Sequence, residues 1–421
     1  MKQEISQFSP AAKLFAVLLG VAVPAVAFGR AAFAVFIGLA LIALLVARPG
    51  RDILADLWAQ VKTPVGILVF ATFAAWLPNV FVSLDPGRSF EAVFRTLIFV
   101  GVASAFCSYL STDQRLITVA LKSFTVAAAI SIAFALISMT VLPEIFWAMH
   151  LKGWQSKPIG TQLKGFSALA VLIIPVLALA GYRAATGWKS ICGIVALGFL
   201  VIVWDSYNRS AIAGLLASSM AVSLAVLVRS GTKRNVLITL GGVGALIAGT
   251  IVWLWVTRGF ALRTVPQDGW FFPIWLIGFE RQTIWSRALE FASASPWIGI
   301  GANTINFVPG ADEIIKGSSN LHVIPAHPHN WSVEIFAETG AVGLGILALT
   351  IIVAGWRTLS NIRRFGGVGL VLALAAMAGY WGSGLFNFSY WSAWWQMSFL
   401  VTLAFCYACA CSTDGSTEIS D

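Results

Sequence analysis

The sequence predicts an all-α polytopic membrane protein with about twelve transmembrane helices and a large outer loop that contains short helices. Hydrophobic residues make up 58% of the 421 positions and charged residues only 11%, whereas a soluble domain carries about 25% charged residues. Apolar runs of membrane-spanning length recur along the whole chain. The 18 tryptophans fit the aromatic belts that form at both membrane interfaces. We therefore interpret residues 1–421 as a single integral-membrane domain.

Twelve segments approach the roughly 20 predominantly apolar residues that a membrane helix needs. The third is interrupted by Pro78 and Asn79, and the twelfth opens on Trp394, Trp395 and Gln396, so these two are the weakest. The segments are predicted to start near Ala12, Ala31, Pro64, Phe90, Leu116, Phe166, Lys189, Ser210, Val236, Gly340, Gly366 and Ser392.

The distribution of basic residues predicts the orientation, because lysine and arginine favour the cytoplasmic connections of a membrane protein. If the N-terminus lies in the cytoplasm, the short outer connections keep only Arg30, Arg88, Arg95 and Arg209. Twelve helices return the C-terminus to the cytoplasm, where the polar residues 412–421 are predicted to be disordered. The cytoplasmic connections then carry Arg48, Arg51, Lys62, Arg115, Lys122, Arg183, Lys189, Arg229, Lys233, Arg234, Arg357, Arg363 and Arg364.

Two connections are too long for simple turns, and both fall on the outer side. They span residues 142–165 and 258–339. Four apolar residues in the second connection recur at helical spacing, and the sequence SPWIGIG then ends that helix. We predict at least two short helices there, lying at the outer interface. The four apolar residues are Ile284, Ala288, Leu289 and Ala292.

A histidine beside a helix start is the strongest candidate for chemistry. His329 and Asn330 are followed by nine residues, then by Gly340, and two residues later by Gly343. Pro328 suits the first turn of a helix, and the helix macrodipole there opposes an extra positive charge. The imidazole should therefore stay neutral, as a general base requires. An interfacial histidine that only caps or packs explains the spacing equally well.

The ring of His329 needs a hydrogen-bond partner from elsewhere in the fold. Glu334 lies about 140° around the helix from His329, and Glu338 lies further along, so neither orients the ring by local geometry. His327 and His322 add a metal interpretation, but no third ligand follows at a spacing typical of zinc. We predict no metal and no cofactor.

Arginines form the second group of candidates. Arg209 lies at the outer end of a predicted helix, Arg88 precedes another, and Arg281 and Arg287 lie in the large loop. One guanidinium group can bind two phosphate oxygens at once, and it stays charged. The four arginines together therefore indicate a site for a diphosphorylated lipid. Each alone is more simply an anchor for headgroups or part of a salt bridge. The net charge of +9 fits anionic membrane lipids rather than nucleic acid, because the chain has no basic run.

Three segments together resemble the O-antigen ligases, within the wider superfamily of O-antigen ligases and O-antigen polymerases. The pattern His-Asn-x9-Gly-x-x-Gly resembles the family signature at His329, Asn330, Gly340 and Gly343. The segment YNRSA resembles the family's Ser-Arg-type segment before a membrane helix. The segment RQTIWSRALEFASASPWIGIGANTI resembles the family segment in which an arginine precedes a tryptophan, here Trp285.

The resemblance implies a metal-independent glycosyltransferase of the bacterial inner membrane with its active site on the periplasmic side. The donor would be O-antigen on undecaprenyl diphosphate and the acceptor the lipid A–core oligosaccharide, so the product would be lipopolysaccharide. His329 would be the catalytic base, and direct attack by the acceptor hydroxyl would invert the anomeric centre. The donor diphosphate would be bound by arginine side chains, namely Arg88, Arg209, Arg281 and Arg287.

Other activities share parts of this pattern. An O-antigen polymerase would use the same donor with a second lipid-linked repeat as acceptor, and a protein O-oligosaccharyltransferase would use a serine or threonine. A transporter of lipid-linked saccharide is a further alternative, but transporters often show internal repeats and charged residues at the membrane midplane. Here no repeat is visible, and the polar candidates lie at the outer face.

Overall fold

The computed structural model describes most of the chain, and in the described residues every regular element is helical. The one pairing of extended backbone there is an isolated bridge between Ile314 and His322. The predicted all-α polytopic fold is confirmed. The predicted disordered tail and parts of both long loops lie outside the described residues, which are 9–151, 153, 158–230, 232–258, 272 and 276–411.

The α-helices of this part of the chain are numbered in chain order. Most begin within a few residues of a predicted segment. They are α1 (Pro10–Ala22), α2 (Arg30–Ala47), α3 (Gly50–Val61), α4 (Pro64–Phe81), α5 (Pro86–Leu110), α6 (Gln114–Thr140), α7 (Pro143–Met149), α8 (Ile159–Gln162), α9 (Lys164–Ala168), α10 (Ala170–Arg183), α11 (Thr186–Asp205), α12 (Arg209–Ser230), α13 (Lys233–Arg258), α14 (Phe279–Ala292), α15 (Trp331–Phe365), α16 (Val368–Gly384) and α17 (Ala393–Cys411).

Nine helices of the described residues are long and apolar enough to cross a membrane: α2, α4, α5, α6, α11, α12, α13, α15 and α17. Three shorter apolar helices, α1, α10 and α16, coincide with the remaining predicted segments. The twelve predicted segments therefore all form apolar helices. The interruption expected at Pro78 does not occur, and α4 continues through it to Phe81, since neighbouring groups can satisfy the backbone that proline frees within a membrane helix.

Several short elements differ from the prediction, among them α7 and α8 in the first long loop. Helix α3 was not predicted, because its 12 residues are too few and too polar for a membrane span; in the structure only Ile53 of this helix is buried. At least two short helices were predicted in the large loop. In its described part the structure has one α-helix, α14, and one short 3-10 helix at Ile305–Phe307. On α14 the predicted apolar face is buried except for Leu289, which is 40% exposed.

Small residues let α12 and α16 approach each other closely. A Cβ atom added at Gly214 of α12 would overlap the backbone carbonyl of Gly379 on α16. Ser218 of α12 donates a hydrogen bond to the carbonyl of Ala375 at 2.8 Å. Membrane helices associate through such small residues and interhelical hydrogen bonds. This contact brings the start of α12 beside the end of α16.

Helix α15 is the longest in the described residues, and it bends at Gly340. The prediction started this membrane helix at Gly340, but helical structure begins at Trp331 and continues beyond a glycine with φ +70°. The sharp bend also brings the loop backbone close, since a Cβ atom at Gly340 would overlap the carbonyl group of Trp297. Only glycine combines this backbone conformation with so little space.

We expect Gly340→Ala to destabilise the protein, by about 1–3 kcal/mol from the positive-φ backbone conformation alone, with further loss from the overlap with Trp297. Thermal unfolding of the detergent-solubilised protein measures the effect. Gly345→Ala is the matched control: it lies on the same helix, and no atom stands within 4 Å of its added Cβ. Equal unfolding temperatures for the two variants would contradict this account of the bend.

Candidate active site

The segment before α15 presents His329 ahead of the helix rather than within it. Asn330 caps the helix, because its side-chain oxygen accepts hydrogen bonds from the backbone N–H groups of Ser332 (3.0 Å) and Val333 (3.3 Å). The backbone of Asn330 is extended, so the first helical residue is Trp331 and not the histidine as predicted. His329 has a φ of +56°, which is uncommon for a residue other than glycine.

Trp285 of α14 holds the backbone directly behind His329. Its indole N–H donates a hydrogen bond to the carbonyl of Pro328 at 2.9 Å. The indole ring is buried, and its centroid lies 6.5 Å from that of Phe386. The tryptophan singled out in the sequence thus connects the large loop to the histidine and to the connection between α16 and α17.

Two histidine rings meet at this point. The ring centroids of His327 and His329 are 4.3 Å apart, and the planes are nearly perpendicular at 87°. The Nδ1 atoms of both rings are buried without a hydrogen-bond partner in the described residues. The backbone of Asn387 lies close enough to His329 to oppose the lowering of its pKa. The neighbouring group therefore comes from the α16–α17 connection, whereas Glu334 and Glu338 bind other groups.

Both rings are held neutral over the physiological pH range. Burial, followed by the positive charge of Arg281, lowers the pKa of His329 to about 4, and the backbone of Asn387 acts in the opposite direction. Burial, followed by the charge of His329, lowers the pKa of His327 to about 3. A ring that is neutral at pH 7 can accept a proton, which is the first requirement for a general base.

Arg281 acts on His329, Arg209 acts on Arg281, and both arginines act on Lys164; we call Lys164, Arg209 and Arg281 the cation cluster. Burial, followed by the positive charge of Arg209, lowers the pKa of Arg281 to about 10. Partial burial lowers the pKa of Lys164, with further contributions from Arg209 and then Arg281. Since Arg281 also acts on His329, each of these groups lies within electrostatic reach of the next.

The charges of the cation cluster are not neutralised by ion pairs within the described ranges. No carboxylate there lies within ion-pair distance of the three cations, and Glu280 only partly offsets the lowered pKa of Arg281. Lys164 and Arg209 are exposed, and Arg281 is half-buried. Converging, uncompensated cations that remain accessible favour an anion with several oxygens, such as a diphosphate.

Asn208 positions two members of the cation cluster. Its side-chain oxygen accepts a hydrogen bond from the backbone N–H of Ala211 at 3.2 Å, so it caps the helix that Arg209 begins. Its side-chain amide donates to the carbonyl of Lys164 at 2.8 Å and to the hydroxyl of Ser167 at 2.8 Å. One buried asparagine therefore joins the first long loop to the start of α12.

Lys164 was not predicted as a site residue. The sequence shows three lysines in the first long loop, Lys152, Lys157 and Lys164, but no spacing distinguishes one of them. Lys152 and Lys157 lie outside the described residues. Contact with Asn208 singles out Lys164, and that contact joins residues 44 positions apart, so the local sequence carries no signal for it.

The structure does not bring Arg88 or Arg287 into the cation cluster of the described residues. Arg88 donates from Nε to the carbonyl of Asn303 at 2.6 Å and lies over the ring of Phe307. Arg287 forms ion pairs with Glu290 at 2.6 Å and with Glu313 at 3.5 Å. Both guanidinium groups bind groups of the loop, and within the described ranges only Arg287 forms the salt bridge that was the simpler interpretation above.

The two glutamates of α15 are buried and organise the surrounding loops. Glu334 accepts hydrogen bonds from the hydroxyl of Ser389 at 2.5 Å and the backbone N–H of Tyr390 at 2.7 Å. Glu338 accepts from the backbone N–H groups of Asn303 at 2.8 Å and Ile305 at 2.9 Å. The carboxylates thereby fasten the large loop and the α16–α17 connection to the first turns of α15.

The histidines do not assemble a metal centre within the residues that the structure describes, since these contain no group of three or more His, Cys, Asp or Glu side chains placed to hold a metal ion. His322 is exposed, and its Nδ1 pairs with the carbonyl of Asp312 at 2.5 Å. It therefore lies apart from the His327–His329 pair.

The fold and the site define a multi-pass helical membrane protein in which a neutral histidine lies beside an uncompensated cation cluster at one end of the bundle. Residues 168–348 match the family model described as O-Antigen ligase. This segment contains Arg209, Arg281 and His329, and the resemblance predicted from the three motifs is confirmed over it. Lys164 lies just before the matched segment.

Relatives of the chain occur in Rickettsia species, and each carries the provisional name of a polysaccharide ligase. One from Rickettsia conorii is 26% identical over 123 residues, and one from Rickettsia typhi is 25% identical over 123 residues. One from Rickettsia felis is 24% identical over 121 residues. The matches cover 28% of this chain and 29% of each relative, so the chain matches less than a third of the length of these proteins.

Replacing Arg281 by glutamine should raise the pKa of His329, because a positive charge that disfavours protonation of the ring is removed. Histidine-selective labelling and NMR titration measure the change, and the chain has only four histidines to assign. The pKa of His327 should move less, since its shift comes from burial and from His329. Arg287→Gln is the control; an equal shift of His329 in both variants would show that Arg281 does not act on the ring.

Proposed function

We propose that this protein is an inverting, metal-independent glycosyltransferase that moves O-antigen polysaccharide from undecaprenyl diphosphate to the lipid A–core oligosaccharide, completing lipopolysaccharide. The observation that carries the proposal is the neutral ring of His329 within electrostatic reach of Arg281. The O-antigen ligase match over residues 168–348 supports it, as do the provisional names of the Rickettsia relatives.

His329 is the proposed general base. The acceptor hydroxyl gives its proton to the neutral imidazole while its oxygen forms a bond to the anomeric carbon of the donor sugar. The bond between that carbon and the diphosphate oxygen breaks in the same step, and undecaprenyl diphosphate leaves with the electron pair. Attack opposite the leaving group inverts the anomeric centre.

The cation cluster is the proposed site of the donor diphosphate. Negative charge increases on the leaving oxygen as the glycosidic bond breaks, and fixed positive groups stabilise such charge without reorganising. Arg209 and Arg281 can each present two N–H donors to phosphate oxygens, while Lys164 contributes a point charge. This arrangement supplies the positive charge that a divalent cation provides in other enzymes, so we propose a metal-independent reaction.

The proposed location is the inner membrane, with the active site on the periplasmic side and both termini in the cytoplasm. The support is the bias of lysine and arginine toward the opposite connections. The start of α12, the start of α15 and the end of α16 meet at the end of the bundle that carries the site. A donor and an acceptor that are both lipid-linked would reach this end from the outer leaflet.

Purified protein, lipid-linked O-antigen donor and lipid A–core as the sole acceptor test the function directly. We expect a lipopolysaccharide product, and activity that survives a chelator because the cation cluster replaces the metal. Elongation of the lipid-linked donor itself would instead identify a polymerase, and transfer to added protein a protein O-oligosaccharyltransferase. Loss of activity with chelator that returns with a divalent cation would contradict the metal-independent mechanism.

His329→Ala should lower kcat by about 10²–10⁴-fold, the usual contribution of a general base, while the protein still inserts and folds. In the unmodified enzyme, kcat/KM should decrease only as pH falls toward about 4, because protonation of His329 removes the base. His322→Ala is the control, since His322 is exposed and pairs with Asp312. Full activity of His329→Ala would refute the assignment of the base.

A further inference from the structure

We propose that Asn387 is a positioning residue that joins the segment carrying the base to the diphosphate site: its neighbours Phe386 and Ser389 contact Trp285 and Glu334 around His329, and its own side chain donates a hydrogen bond to Ser210, beside Arg209. The inference rests on the proposed function, because it gives a role to the distance between His329 and the cation cluster. Asn387 lies in the connection between α16 and α17, outside the segments that resemble the ligase family and outside the matched residues 168–348.

A directional chain of hydrogen bonds leads from Asn387 to the cation cluster. The side-chain amide of Asn387 donates to the hydroxyl oxygen of Ser210 at 3.0 Å. That hydroxyl donates to the side-chain oxygen of Asn208 at 2.6 Å, and the amide of Asn208 donates to the carbonyl of Lys164 at 2.8 Å. The Ser210 hydroxyl acts once as acceptor and once as donor, and Asn208 accepts through its oxygen and donates through its amide, so the chain runs in a single sense, which favours one geometry.

The connection that carries Asn387 is held on both sides. Phe386, just before it, lies against the Trp285 indole that binds the backbone behind His329. Phe388, just after it, packs edge-on against Trp394 with ring centroids 5.0 Å apart. Further along, Ser389 and Tyr390 donate to the buried carboxylate of Glu334. Asn387 is therefore fixed relative to α14, α15 and α17 before any substrate binds.

This placement makes Asn387 a spacer between the two functional parts of the site. His329 belongs to the segment before α15, whereas Arg209 begins α12, and the two helices reach the site independently. Transfer requires the acceptor oxygen and the anomeric carbon to approach in line, and a misplacement of about 1 Å can cost 10²-fold in rate. Loss of the Asn387–Ser210 bond should therefore impair the chemical step more than donor binding.

A double-mutant cycle tests the bond itself. We expect Asn387→Ala and Ser210→Ala each to lower kcat by about 10–100-fold, with the KM for donor changed less than about threefold because the cation cluster remains. The double variant should be within about twofold of Ser210→Ala, since that change already removes the bond to Asn387, together with the bond from Ser210 to Asn208. Ser218→Ala is the control: it deletes another α12–α16 hydrogen bond, to Ala375, and its effect should add independently to that of Asn387→Ala.

NMR titration of His329 in the same variants supplies a measurement that does not need activity. Loss of the Asn387–Ser210 hydrogen bond should admit water to the ring of His329 and raise its pKa. We expect this increase in Asn387→Ala and in Ser210→Ala, but not in Ser218→Ala. Additive losses of kcat, or an unchanged titration of His329, would overturn the positioning role. If the wild-type protein transfers no O-antigen, the proposed function is wrong. The titration still shows whether the bond between Asn387 and Ser210 affects His329. If Asn387→Ala does not fold, Ser210→Ala alone gives the titration result.

Discussion

The backbone pairing between the large loop and the bend of α15 is the constraint on which the rest of the site depends. Below the bend, Ile300 and Gly301 donate to the carbonyls of Ala337 and Glu338 at 3.1 Å. Above it, the N–H of Ala341 donates to the carbonyl of Pro296 at 2.8 Å. A straight helix would offer none of these groups, because its own turns would use them. The bend at Gly340 therefore lets one helix cross the membrane and also hold the loop.

The second constraint is electrostatic, and it opposes folding. Three cations and a half-buried histidine lie at one end of the bundle, and the cations form no ion pairs in the described part of the chain. Repulsion among the cations and the partial burial of Arg281 and His329 cost free energy and lower the pKa of these groups. The hydrogen bonds of Asn208 and of the two buried glutamates of α15 hold the arrangement in place. An anion that binds there would relieve this repulsion, so the same charges that oppose folding would strengthen binding of a diphosphate.

The residues of the sequence signature divide into different physical roles. His329 is the member with acid–base chemistry, and Asn330 ends the loop by capping the helix. Gly340 makes the bend possible. Gly343 lets α15 lie against α4, because a Cβ there would crowd the indole of Trp76. This spacing therefore mainly specifies a capped, bent helix with a titratable residue, His329, just before its start.

Much of this protein follows from the sequence by itself. Hydropathy identifies all twelve apolar helices, since a membrane helix satisfies its own backbone and leaves its mark as a local apolar run. The spacing after His329 likewise marks the candidate base, because the cap, the helix and the bend are all local. Only the tertiary structure decides that Lys164 joins Arg209 and Arg281, that Arg88 and Arg287 bind groups of the loop, and that the side chain of Asn387 meets Ser210. These choices depend on contacts between residues far apart in the chain, and no local pattern of residue types encodes which distant partners will meet.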